Sequence, residues 1–248
     1  HIALLRSPYA HARIVTIDTS EALALDGVYG VLTGAELVTE LDPLASAVRA
    51  PADYFPIAKD KVRYVGEPVA VIAAVDRYVA EDALDRIIVD YDPLPAAVDP
   101  VTALDDDAGQ VHEMVGSNLV HHRTFRYGDP ERAFAEAANV VELEWRYPRQ
   151  ASTPIETYGV VAHFETAPER YTIWSNFQGP FILQPLMARS LRVPGNRLRL
   201  IAAPHSGGSF GIKQGLYPYL VLLAAASRMF RCPVKSVSYT HLRAHETD

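Results

Sequence analysis

The chain has 248 residues, with 23 Lys and Arg against 30 Asp and Glu, a formal net charge of −7. Its 49% hydrophobic and 21% charged residues are the balance of a folded globular protein and exclude wholesale disorder. The acidic excess, with basic residues scattered along the chain, removes the electrostatic basis for nucleic-acid binding. A single cysteine, Cys232, excludes an intrachain disulfide, a four-cysteine zinc site and an iron–sulfur cluster held by this chain alone. The longest apolar run, 220–226, falls well short of the roughly 18–20 residues of a membrane span. The opening residues lack the basic-then-apolar pattern of a secretory signal, so a cytoplasmic location is expected. His1-Ile2-Ala3-Leu4-Leu5 reads as the middle of a strand, so the chain is expected to be a fragment cut at its front.

From residue 1 to about 100, strand-like and helix-like segments alternate. A β-branched run over 13–17 leads to Thr19-Ser20 as caps of a short helix, which Gly27 closes before a strand over 28–32. Thr33 caps a turn through Glu36-Leu37, and a polar stretch follows over 42–59. A strand over 62–65, the turn Gly66-Glu67-Pro68 and an apolar strand over 69–75 come next. Asp76 caps a helix with Val79-Ala83 and Ala80-Leu84 on one face, and a strand over 87–89 follows, so this unit is an α/β layer. Residues 101–117, with Asp105-Asp106-Asp107, read as an acidic interdomain linker. The second block, 118–235, opens on a strand over 119–125, after which Asp129 and Pro130 start a helix with Phe134, Ala137 and Ala138 as its apolar face. Strands are expected over 140–147, 158–164 and 171–174. A helix over 181–191, a Pro194-Gly195 turn, a strand over 198–202, a helix over 216–230 and a strand from Pro233 complete the block. Residues 236–248 are polar without an apolar face at either period and read as translated sequencing-adaptor material, outside the fold.

Chemistry concentrates in Ala202-Ala203-Pro204-His205-Ser206-Gly207-Gly208-Ser209-Phe210-Gly211-Ile212-Lys213. Here a strand runs into glycines ahead of a helix. Glycines permit positive φ and let successive N–H groups converge on an oxyanion, a phosphate or a metal-oxo group. The same residues suit a tight turn packed under the helix, and both readings stand. Gly207-Gly208-Ser209-Phe210-Gly211 also matches G-x-S-x-G, the nucleophile elbow of a serine hydrolase with Ser209 attacking. That chemistry needs a later acid and then a His, and only His241 and His245 follow. His112, His121 and His122 lack partners at ligand spacing.

Together these segments resemble the molybdenum-cofactor-binding large subunit of the xanthine dehydrogenase and aldehyde oxidase family, nearest its aerobic carbon monoxide dehydrogenase branch. The resemblance rests on 5–14 (LRSPYAHARI) and 62–70 (VRYVGEPVA), which look like an α/β hammerhead domain. It rests equally on Gly128-Asp129, Pro154-Ile155-Glu156, Phe177-Gln178-Gly179-Pro180 and 207–213 (GGSFGIK), which look like the first part of the cofactor domain. It implies a mixed α+β and α/β fold, with the hammerhead over 1–100 and the cofactor domain beginning at 118. It also implies a molybdenum pyranopterin, in some members a cytosine dinucleotide, with iron–sulfur and FAD groups on small and medium partner subunits. Gln178 would stand beside the metal's oxygen ligands, while Gly207, Gly208, Ser209, Phe210 and Gly211 would supply backbone N–H groups. Phe210 and Gln214 would face a small-molecule substrate.

Two departures from the family pattern stand out. Ser209 occupies a position commonly held by a third glycine, and Gln214 a position where purine-oxidising members carry Glu, which makes a heterocycle other than xanthine, an aldehyde or carbon monoxide the expected substrate. The implied reaction is hydroxylation with water-derived oxygen. Its base and substrate loop are expected beyond Lys235, so the 248 residues alone are expected to be inactive, with Glu156 a supporting carboxylate. Lys213 reads equally as a cofactor-phosphate contact or a solvated residue. The alternative from a different class is a non-catalytic α/β module that binds a ligand or partner.

Overall fold

The computed structural model describes residues 1–45, 51–148, 152–215 and 217–238. The N-terminal part forms two small antiparallel sheets. One contains β1 (Ile2–Arg6), β3 (Val28–Thr33) and β5 (Pro68–Ala74) in the order β1-β5-β3. The other contains β2 (Ala12–Asp18), β4 (Lys61–Val62) and β6 (Ile88–Pro93) in the order β4-β2-β6. The apolar run of β5 is continuous because both its edges are paired and both its faces covered. Ala70 and Ile72 pack with Ala22, Ala83 and Ile87, while Val71 and Ala73 face the main core, the two-residue period of a strand.

Side-chain caps start two of the helices in this part. Thr33 and Glu36 close a capping box on α2 (Gly34–Leu37), and Asp76 Oδ1 accepts from Tyr78 N (2.9 Å) and Val79 N (3.0 Å) at the start of α3 (Arg77–Leu84). At α1 (Ser20–Leu23) the expected Thr19 cap is absent; Asp18 Oδ1 takes the Ser20 N–H at 2.9 Å instead, because Asp18 reaches forward from the end of β2.

The second part is a four-stranded sheet in the order β10-β7-β8-β9. Its strands are β7 (Gly159–Glu165), β8 (Arg170–Ser175), β9 (Leu198–Ala202) and β10 (Val234–Val237). β8 and β9 run parallel, joined by α5 (Pro180–Ser190), as a crossover between parallel neighbours requires. The short α6 (Ile212–Gly215) leads to α7 (Tyr217–Phe230), whose residues Leu220 to Ser227 are all buried. The two parts share one core: Leu37, Leu41, Ile57 and Val71 pack in the same cluster as Tyr171, Met187 and Leu222. Arg192 reinforces the junction, donating to Asp42 Oδ1 (2.7 Å), Thr39 O (2.7 Å) and Leu41 O (2.6 Å).

Four expectations are corrected. The strands expected over 119–125 and 140–147 do not form. Both stretches are exposed, and only α4 (Pro130–Glu136) forms between them, with Asp129 as its cap. A strand needs a neighbour for its N–H and C=O groups, and neither stretch has one among the described residues. Phe134, expected on an apolar face, is exposed, and α4 buries none of its residues. The strand expected over 62–65 shortens to β4, because the chain turns where Glu67 N donates to Tyr64 O at 3.3 Å. Finally, the fold does not stop at residue 235: Ser236 and Val237 pair with Val160 and Gly159 in β10, and Ser238 N donates to Tyr158 O at 3.0 Å. The rest of the stretch read as adaptor material, 239–248, lies outside the described residues.

The linker stretch folds back on the first part. Asn118 gathers Val111 N–H, Ala103 O and Gly109 O, and Glu113 meets Lys61 at 2.6 Å. No helix among the described residues is long and apolar enough to cross a membrane.

Candidate functional site

Because β8 and β9 are parallel neighbours, their C-terminal ends lie side by side, and the loops that follow them converge. The β8 loop is Asn176-Phe177-Gln178-Gly179; Gly179 turns it into α5 at φ 66°. The β9 loop carries the glycine ribbon. Gln178 Oε1 accepts the Gly211 N–H at 3.1 Å and also the Ser209 hydroxyl, joining segments 33 and 31 residues apart.

Glu156 holds the ribbon from beneath. Its Oε2 accepts from Gly207 N (2.9 Å), Asn176 Nδ2 (3.0 Å) and the Lys213 ammonium. Lys213 foremost, then Asn176 and Gly207, holds this carboxyl far down, at about 2. The Lys213 side chain is 1% exposed, so it is neither solvated nor presented at the surface of the ribbon; its charge is spent on Glu156. A side chain at Gly207 would bring its Cβ within 2.6 Å of Glu156 Cβ, which leaves glycine as the residue that fits. The ribbon reverses through positive φ at Gly208 (93°), Phe210 (51°) and Gly211 (94°), and Ser152 Oγ steadies it by donating to Phe210 O at 2.8 Å.

The donors on offer follow from this geometry. The N–H groups of Gly207 and Gly211 are taken by Glu156 and Gln178. Those of Gly208, Ser209 and Phe210 carry no hydrogen bond among the described residues. Among the described residues, its own chain neighbours aside, no heavy atom lies within 4 Å of where a Gly211 Cβ would stand, so the ribbon is open on that side. Free amides beside a carboxamide suit the oxygens of an anionic group such as a pterin-borne metal centre. Among the described residues no three His, Cys, Asp or Glu side chains gather as a direct metal site.

The ring of Phe210 is 77% exposed rather than packed in the core. Gln214 lines a cavity of about 1120 Å³ together with Gly211, Tyr54, Asp53, Arg189 and Tyr217. The structure therefore gathers Gln178, Gly207, Gly208, Ser209, Phe210 and Gly211 at one place and sets Gln214 beside it. Sequence reasoning missed Asn176, whose only signal is its place next to Phe177-Gln178, and the contribution of Tyr54 from the N-terminal part.

The nucleophile-elbow reading finds no support in this geometry. The Ser209 hydroxyl accepts from Lys213 N at 3.1 Å and donates to a carboxamide oxygen, which is no base. His241 and His245 lie outside the described residues.

The profile described as the aldehyde oxidase and xanthine dehydrogenase a/b hammerhead domain matches residues 1–95, and that of the molybdopterin cofactor-binding domain matches residues 111–242. The carbon monoxide dehydrogenase large chain of Afipia carboxidovorans is 37% identical over 94% of this chain and 30% of its own length. The nicotine 6-hydroxylase large subunit of Paenarthrobacter nicotinovorans is 33% identical over 96% of this chain and 29% of its own. Among solved structures, quinoline 2-oxidoreductase from Pseudomonas putida 86 superposes with a TM-score of 0.86 at 31% identity, over 96% of this chain and 31% of that one. The chain thus spans about 30% of the length of the curated relatives it matches.

Proposed function

The chain belongs to the aldehyde oxidase and xanthine dehydrogenase family of molybdopterin-binding proteins, and from that premise we propose that it forms one wall of the cofactor site in the large subunit of a molybdenum hydroxylase. The observation that carries this reading is the meeting of Gln178 with Gly211 at 3.1 Å, which places a carboxamide beside an open ribbon of amides. When bound, the molybdenum pyranopterin supplies two-electron oxidation with oxygen taken from water.

Each residue has a task in this reading. The N–H groups of Gly208, Ser209 and Phe210 donate to anionic oxygens of the bound group, and Gln178 holds an oxygen ligand through its carboxamide. Glu156 and Lys213 keep the ribbon at its position without touching the cofactor. Phe210, with its exposed ring, lines the approach of a small apolar or planar substrate. Gln214, neutral and able both to donate and accept, meets that substrate from the cavity wall. The substrate class is a heterocycle, an aldehyde or carbon monoxide. Electrons leave to iron–sulfur and FAD groups on small and medium partner subunits, in the cytoplasm.

The test is to purify the protein that carries this chain, with its natural partners, and measure molybdenum and pterin content. Oxygen transfer from ¹⁸O-water to product is followed alongside. One pterin and one molybdenum per chain, with labelled product, are expected. Replacing Gly208 and Gly211 by Val is expected to empty the site while leaving the sheet intact. A pterin-free protein, or product oxygen that comes from O₂, would refute the reading.

A further inference from the structure

A glutamine carboxamide has an acceptor end and a donor end of nearly the same shape, and a half-turn exchanges them. We infer that Ser209 is a positioning residue that locks the Gln178 carboxamide with its NH₂ directed to the bound group, so that Gln178 acts there as a donor alone. This rests on the reading above, that Gln178 faces the cofactor.

The assignment follows from which groups are obliged to donate. A backbone N–H cannot accept, so the Gln178 atom 3.1 Å from Gly211 N is the oxygen. Lys213 N, another obligate donor, approaches Ser209 Oγ at 3.1 Å, so the serine oxygen accepts there and its own hydrogen is free to be donated. That hydrogen goes to Gln178 Oε1. Both acceptor directions of the Gln178 oxygen are then occupied, and its Nε2 has to point elsewhere. A half-turn would set the NH₂ end against the Gly211 N–H, donor against donor, and would leave the Ser209 hydrogen without its acceptor, although the serine oxygen could itself accept. With glycine at 209 one of the two restraints would be missing. Ser209 is the residue by which this ribbon departs from an unbroken run of glycines, and its side chain makes the contact the backbone cannot.

A carboxamide held as a donor favours an oxygen ligand that accepts over one that carries a proton, so the lock also biases the protonation state of that ligand. The experiment uses the cofactor-loaded protein with its partners, comparing wild type with Ser209→Ala, Ser209→Thr and Gln178→Ala. The readouts are the electron paramagnetic resonance spectrum of the half-reduced metal and the pH profile of kcat. Ser209→Ala is expected to split the spectrum into two species, shift the pH profile and lower kcat about five- to tenfold, the worth of one hydrogen bond, with KM within about twofold. Ser209→Thr, which keeps the hydroxyl, is expected to restore all three. A wild-type spectrum and pH profile in Ser209→Ala, or a Ser209→Thr variant no better than Ser209→Ala, would overturn the lock. If Gln178→Ala also leaves the spectrum unchanged, Gln178 does not face the metal and the functional reading of this residue fails instead. A changed spectrum in Gln178→Ala beside an unchanged one in Ser209→Ala removes only the role of Ser209.

Discussion

β5, with Val69, Val71 and Ile72, and the stretch 140–147, with Val140, Val141, Trp145 and Tyr147, both carry strand-favouring residues, yet they have opposite fates. β5 pairs with β1 and β3 along its length and every residue is buried. In 140–147, Val141, Leu143, Trp145 and Tyr147 alternate with Glu142, Glu144 and Arg146 as a half-buried strand should, but all four apolar side chains are exposed and no ladder forms. The difference teaches that strand propensity is a preference for a pleated surface with neighbours. Without a neighbour, the same pattern leaves an unpaired segment.

The severest way to break the β5 side of this contrast is Gly34→Ala. A Cβ there would stand 1.9 Å from Ala58 O, in the loop that Ala58 N ties to Pro68 O, the first residue of β5, at 2.8 Å. Backbone has to move, and a loss of about 4 kcal/mol or more is expected in urea unfolding. Ile72→Ala, at the fully buried centre of β5, is expected to cost about 3 kcal/mol by the same measurement, from lost transfer energy and the cavity left behind.

Glu67, in the turn before β5, sharpens the contrast through pH. Burial pushes its carboxyl up to about 7, against the opposing pull of the Arg63 N–H, which it accepts at 2.5 Å. Between 4.5 and about 7 the folded chain keeps a proton that the unfolded chain has released, so stability falls as pH rises through that window. Glu67→Gln is expected to remove this fall: no gain at pH 4, and a gain approaching about 3 kcal/mol at pH 8. An equal difference at both pH values would show that burial is not the cause. The smallest effect belongs to the other region. Trp145→Ser is expected to change unfolding free energy by less than about 0.5 kcal/mol, since the ring is 72% exposed. A larger loss would mean that 140–147 is packed after all.

Much of the fold was legible because it rests on neighbours in sequence. Thr33 with Glu36, Asp76 before α3 and Asp129-Pro130 before α4 are caps whose partners lie within three residues. The strands β1, β2, β3, β5, β7, β8 and β9 announce themselves by apolar period or run length. The candidate site was legible as a set of names, Gln178 and Gly207 to Gly211, through their resemblance to a family. Its internal wiring was not. Lys213 looks solvent-directed beside polar Gln214, and its burial against Glu156 comes from a contact 57 residues away. Asn176 carries no signal apart from its neighbours, because its value lies in reaching Glu156 and Thr157, 20 and 19 residues away.

Periodicity, run length and capping residues were enough to establish the α/β character and most of the elements, and the glycine cluster marked the ribbon of the candidate site, because these depend on interactions within a turn or a strand. Three features needed the folded chain. The two parts share one core, residues 119–125 and 140–147 find no strand partner among the described residues, and the Gln178 oxygen is held by Ser209 and Gly211. Each depends on which groups remote in sequence come within bonding distance, and short-range preferences carry no information about that.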